Sequence, residues 1–187
     1  MKIPEHGKYL WLPILYEITK HLNPKKIVEF GPGVGFTTTT MALAIKDLGS
    51  DSLINSYDIW MDKYWGKKKT SQKFFDDWGV GNQIVLNHLD FYDWIELPKE
   101  QREFDLLYFD INNTGEKLLE LHENVKDQIK NGSVVLFEGG SVVRDNYGAA
   151  GSKMSDLQDK IGYKLLTGNI KYSLSAIYNE DIYNLEY

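Results

Sequence analysis

The sequence predicts a doubly wound α/β fold, and three observations carry that prediction. From residue 24 onward, short apolar runs alternate with helical patterns, as strand–helix–strand units do. The first run passes into a glycine-rich turn, "EFGPGVG", that opens a helix. The apolar runs then end repeatedly in or beside an acid, at Glu29, Asp58, Asp90, Asp110 and Glu138. Ligands of such sheets bind beyond the carboxyl ends of the strands. Carboxylates gathered there repel one another unless ligands, donors or cations compensate them.

Before the first strand, Tyr9, Leu10, Leu12, Ile14, Leu15, Ile18 and Leu22 form a helix-like apolar band. Pro13 interrupts it early, and Asn23 with Pro24 ends it. This leading helix is expected to pack on the sheet and border the ligand site. His6, His21, Tyr9 and Trp11 are candidates for a lid, with ordinary packing as the competing role.

The first strand, Ile27–Phe30, leads into Gly31, Gly33 and Gly35. A Cβ at those points would block either a positive φ or the approach of a ligand to the backbone, and the helix that follows offers unpaired N–H groups. That helix spans Phe36–Leu48, with Gly49 as its C-cap. The second strand, Leu53–Ile59, places Asp58 where a carboxylate can accept the two ribose hydroxyls of an adenosine cofactor. Trp60 to Gly81 is rich in aromatic residues and lysine, with a helix over Thr70–Trp78. Trp60, Tyr64 and Trp65 stand where they either stack on an adenine or pack the loop; Trp78 reads as packing.

Gln83–Leu89 is a third strand, followed by Asp90 and Phe91, with His88 structural. "FDLLYFDIN", Phe104–Asn112, is a fourth strand, apolar on both faces as a buried parallel strand should be. The helix Thr114–Lys130 and the strand Val134–Phe137 follow, the latter running into Glu138, Gly139 and Gly140. Asp145–Gly151 reads as a polar loop, Ser152–Ile161 as a short helix, and Tyr163–Leu166 with Ser173–Tyr178 as a closing hairpin.

The 187 residues suit one domain, 1–187, with residues 1–23 a leading helix or lid and 24–180 the core. With 42% hydrophobic and 26% charged residues the chain has a soluble, folded composition. The absence of cysteine excludes disulfides, thiolate catalysis and cysteine-based zinc sites. The start lacks a signal-peptide pattern and no apolar run reaches the ~20 residues of a membrane span, which points to the cytoplasm and away from a membrane partner. The formal charge is −6, and Lys67, Lys68 and Lys69 are the one basic cluster, read as a solvated loop. This disfavours nucleic acid and favours a small-molecule substrate. The oligomeric state stays open, a homodimer included.

The glycine spacing separates two cofactors. A dinucleotide turn has G-x-G-x-x-G, but the third glycine here comes one residue early, at Gly35, with Phe36 in its place. The E-x-G-x-G-x-G stretch from Glu29 to Gly35 instead resembles motif I of the class I S-adenosylmethionine-dependent methyltransferases. That resemblance implies a Rossmann-like, doubly wound, seven-stranded and mostly parallel sheet whose last strand inserts antiparallel. It implies a cofactor set of Glu29, Gly31, Pro32, Gly33, Gly35, Asp58, Ile59, Trp60, Asp90, Phe91 and Asp110. Within it Glu29 lies near the methionine moiety, Asp90 bonds the adenine amino group and Phe91 covers the ring.

Within the superfamily, the Asp closing strand four and "NGSVVLFEGG" resemble the small-molecule O-methyltransferases related to catechol O-methyltransferase. Asp110 and Glu138 are then the catalytic candidates, holding the acceptor in line and weakening its O–H bond. His6, Arg144 and Tyr147 are looser candidates, and the competing role for Glu138 is a supporting carboxylate that accepts backbone N–H bonds from the cofactor loop or pairs with Arg144. In metal-dependent members two Asp and one Asn hold a divalent cation. Asp110 matches the first and Glu138 could replace the second, but Gly139 stands at the Asn position, so Mg²⁺ on Asp110 and Glu138 stays open. The stretch "DINN", Asp110–Asn113, lacks the prolines and aromatic of base-N-methylating enzymes, which favours oxygen over nitrogen. Two alternatives remain: an NAD(P)-linked oxidoreductase, disfavoured by Phe36, and a non-catalytic cofactor-binding partner.

Overall fold

In the computed structural model, strands β1 (Lys26–Phe30), β2 (Leu53–Asp58), β3 (Ile84–His88), β4 (Leu106–Phe109), β5 (Val134–Glu138), β6 (Lys164–Leu165) and β7 (Leu174–Ile177) form one sheet. Their order is β3-β2-β1-β4-β5-β7-β6, with β7 antiparallel to both β5 and β6. The doubly wound, mostly parallel sheet with an inserted antiparallel last strand is therefore as the sequence predicts. The structure describes residues 3–5, 7, 9–60, 68–111, 113–147 and 151–183. His6, Tyr64, Trp65, Lys67 and Asn112 lie outside the described residues. The chain divides into two compact units, Met1–Leu106 and Leu107–Tyr187.

In the first unit, α1 (Leu12–Leu22) packs on α2 (Phe36–Asp47), and the Tyr16 hydroxyl donates to Asp47 Oδ2 at 2.5 Å. Pro13 does not break α1 as expected. It sits in the first turn, where a helix N–H has no intrahelical acceptor to lose. Asn23 closes the helix in the left-handed region, its N–H donating to Thr19 O. Trp11 is buried and His21 is exposed at the far end of α1, so the two do not form one lid face. The start of β1 is fixed by Asp105, whose carboxylate accepts from the N–H groups of Lys25 and Lys26 at 2.7 and 2.8 Å.

Strands β1 and β2 pair in parallel with Glu29 beside Ser56 and Phe30 beside Tyr57. The Phe30 ring stacks on Tyr57 and meets Phe91 and Trp94 edge-on, at centroid distances of 5.4, 5.6 and 5.1 Å. Such contacts add to the area these large rings bury. The lysine cluster reads as a loop in the sequence, but Lys68 and Lys69 open α3 (Lys68–Asp77). Trp78 packs beside Phe74, which packs on Phe36.

In the second unit, Thr114 caps α5 (Gly115–Lys130), and β5 is buried along its whole length. A short helix that the sequence pattern does not reveal, α6 (Val142–Asp145), capped by Ser141, precedes the expected polar loop and ends at its first residue. The short helix expected over Ser152–Ile161 is a 3-10 turn, Ser155–Leu157, continued by α7 (Gln158–Ile161).

Candidate active site

The turn after β1 is shaped by its glycines. Gly31, Gly33 and Gly35 have φ of 80°, 53° and 112°, values that side-chain-bearing residues rarely adopt. Gly31 N–H donates to Tyr57 O and Gly35 N–H to Pro32 O, which closes the turn over the end of β2. Gly35 has a second constraint: a Cβ there would overlap Phe75 Cε1, in a ring that is wholly buried. The spacing that argues against a dinucleotide thus also lets α3 pack against the turn.

Glu29 does not face the solvent side of this turn. Its side chain is fully buried, and its carboxylate accepts from Thr37 Oγ1, Thr38 Oγ1 and Ser56 Oγ at 2.7, 2.6 and 2.7 Å. Burial pushes its pKa up, and the three hydroxyls oppose that rise. Glu29 therefore ties β1 to α2 and β2, and holds the turn from beneath. The "FTTTT" run is the signal for this: β-branched hydroxyl residues are poor helix formers, and two of them supply donors inside the protein.

Asp58 ends β2 half-buried. Its Oδ1 accepts from Trp60 N–H at 2.8 Å, and burial raises its pKa against the pull of the Trp60 and Ile59 N–H groups. Trp60 takes φ of 47°, while Ile59 is exposed. Asp90 and Phe91 depart from expectation, because they open a helix that the sequence pattern does not reveal, α4 (Phe91–Ile95). Asp90 is its N-cap, with Oδ1 accepting from Tyr92 N–H at 2.8 Å. Phe91 is turned into the core beside Phe30, so its ring is not laid open to cover an adenine.

In the second unit, Asp110 follows β4 directly and is half-buried, and Glu138 ends β5 and is buried. Glu138 does not stand free to bind. Arg144 Nε donates to its Oε1 at 2.9 Å and its Oε2 at 3.2 Å. Burial raises the Glu138 pKa and Arg144 opposes this; burial works against the Arg144 charge, while Glu138, and more distantly Asp110 and Asp145, hold it. Asn113, absent from the expected site, links the two strand ends: its Nδ2 donates to Glu138 O at 2.7 Å and to Phe109 O at 3.3 Å. Its Oδ1 accepts from Ile111 N–H at 3.1 Å.

Glu29, Asp58, Asp90 and Glu138 are thus compensated by the chain itself, through hydroxyls at Glu29, backbone N–H groups at Asp58 and Asp90, and a guanidinium at Glu138. A glycine cradle over a helix N-terminus and a half-buried carboxylate at the next strand end fit an adenosyl cofactor. A divalent cation does not fit the expected pair, because both Glu138 oxygens are engaged by Arg144. Among the described residues no group of three or more His, Asp or Glu is placed to hold a metal. Nor is any helix among them long and apolar enough to cross a membrane.

Residues 28–138, more than half of the chain, match the methyltransferase-domain family, and the chain belongs to that family. It is 25% identical over 154 residues to an Arabidopsis thaliana protein assigned as a caffeoyl-CoA O-methyltransferase, covering 79% of this chain and 60% of the relative. The chain thus matches over about three fifths of that curated relative's length. Two solved structures share the fold. The O-methyltransferase TomG of Streptomyces achromogenes, involved in tomaymycin synthesis and solved with S-adenosylmethionine, has a TM-score of 0.63 at 13% identity, covering 90% of this chain and 79% of TomG. An O-methyltransferase of Bacillus cereus, solved with S-adenosylhomocysteine, has 0.62 at 11% identity, covering 96% of this chain and 84% of that one.

Proposed function

We propose that this protein transfers the methyl group of S-adenosylmethionine to a hydroxyl of a small molecule. The observation that carries the reading is the β1–α2 turn, whose three glycines lie at positive φ ahead of the helix. Gly31, Pro32, Gly33 and Gly35 would bear the methionine part of the cofactor. Asp58 would accept the ribose hydroxyls, with Ile59, Trp60 and the Asp90–Phe91 turn bordering the base. When bound, the cofactor supplies an electrophilic methyl group on a sulfonium.

The chain's own residues then hold the acceptor in line and manage its proton. Asp110, half-buried at the end of β4, is the group to take that proton. Glu138 acts through Arg144, and Glu29 through the turn that it supports. The net charge of −6 supports a small molecule over a nucleic acid, and the sequence supports a cytoplasmic place of work. The family match and the seven-strand sheet support one methyltransferase domain over the whole chain.

The test is product formation from labelled S-adenosylmethionine with a panel of phenols, sugars and other hydroxyl compounds in the presence of a chelator. Methylated product should fall about 100-fold in Asp110→Asn, the range of a lost general base, with S-adenosylhomocysteine affinity retained. Turnover unchanged in that variant would overturn the assignment of Asp110.

A further inference from the structure

Resting on the methyl-transfer reading, we infer that the Arg144 guanidinium receives the acceptor's oxygen, in the place that a divalent cation holds in metal-dependent enzymes of this kind. Within the Arg144–Glu138 pair the two side chains are unequal: Glu138 is 4% exposed and Arg144 24%. The pair turns its cation, not its carboxylate, toward the outside. The bond to Glu138 uses the Nε–H, one of the five donors of a guanidinium.

The local fold fixes where this cation stands. Gly139 and Gly140 take φ of 113° and 89°, and a Cβ on the first would overlap Met154 Cε while one on the second would meet Ser175 Oγ at 2.8 Å. The chain therefore leaves β5 along one narrow path and enters α6 at once. Ser141 holds that helix from both sides, donating to Ile170 O at 2.6 Å and accepting from Arg144 N–H at 3.0 Å. Val143 N–H donates to Asn169 Oδ1 at 3.0 Å. Arg144 thus returns over the carboxyl end of β5, where ligands of such sheets bind, on a backbone pinned to the 169–170 turn.

The chemistry suits the placement. A guanidinium stays charged at every working pH and offers fixed donors to an oxyanion. It therefore lowers the pKa of a bound hydroxyl without accepting its proton, as a cation would. The acceptor proton passes to Asp110, the oxygen forms the new O–CH₃ bond, and the methyl–sulfur bond breaks with its electron pair left on sulfur. No further co-reactant is needed.

The probes are 4-nitrophenol, whose phenolate absorbs in the visible, and Mn²⁺ followed by electron paramagnetic resonance. Both are titrated into the full chain loaded with S-adenosylhomocysteine. The wild type should shift nitrophenol toward phenolate and bind no stoichiometric Mn²⁺. Arg144→Ala should abolish the shift while holding S-adenosylhomocysteine affinity within about threefold, and Arg144→Lys should restore part of it. Arg144→Ala strands a buried carboxylate, so the double variant Glu138→Gln/Arg144→Leu, which removes both charges, is run beside it and should lose the shift as well. An equal phenolate band in wild type and variants, or no shift in the wild type, overturns the inference. So does a stoichiometric Mn²⁺ site that Glu138→Gln removes. Failure of the wild type to bind S-adenosylhomocysteine instead sinks the methyl-transfer reading, and the loading step reports it separately.

Discussion

Arg144 Nε lies 2.9 Å from Glu138 Oε1 and 3.2 Å from Oε2, so a single N–H serves both oxygens of a buried glutamate. The pair should respond asymmetrically to truncation. Arg144→Ala leaves a buried charge without a counterion and should cost about 3–5 kcal/mol. Glu138→Gln leaves an arginine with a route to water, and should cost about 1–2 kcal/mol. Urea denaturation of both variants measures the difference; equal losses would contradict the burial argument.

Glu29 makes stability depend on pH with a definite sign. Burial raises its pKa above the ordinary glutamate value, so the native state binds a proton that the unfolded chain releases. The contribution is therefore fully present below the ordinary carboxylate range, about pH 4, and is lost as pH rises through the raised native pKa. Glu29→Gln has no such slope. The stability of the wild type relative to Glu29→Gln should fall steadily from about pH 4 upward and then level. Denaturation midpoints across that range check it, and parallel curves would contradict it.

Two glycines separate backbone strain from crowding. Gly49 has φ of 65° with open space where a methyl group would stand, whereas at Gly35, with φ of 112°, that methyl would overlap Phe75 Cε1. Gly49→Ala should cost about 1–2 kcal/mol, the strain of the left-handed region alone. Gly35→Ala adds displacement of a core ring and should cost about 3 kcal/mol or more. Thermal melts compare them; similar losses would mean that the Phe75 contact does not constrain the turn.

The strands and the glycine turn are legible in the sequence because they depend on short-range pattern: apolar runs, breakers and glycines act where they stand. The partners are not. Glu29 is visible as an acid, but its bond to Ser56 follows from the β1–β2 register, which sets those two residues side by side. The sequence resemblance sets Asp90 facing an adenine, yet one turn of helix over Phe91–Ile95, too short to show a period, makes it a cap and turns Phe91 inward. Arg144 is the exception: the sequence already offers its pairing with Glu138 as the competing role for that acid, and the short helix α6 brings the two together.

The central claim is that the β1–α2 turn with Asp58 is an S-adenosyl site. Calorimetric titration of S-adenosylhomocysteine into wild type and Asp58→Asn, with NAD as the control, tests it most directly. Binding in the micromolar range for the wild type, weakened about 10- to 100-fold in Asp58→Asn, with no heat from NAD, is the predicted result. Binding of NAD without S-adenosylhomocysteine, or an Asp58→Asn affinity equal to the wild type's, would contradict it.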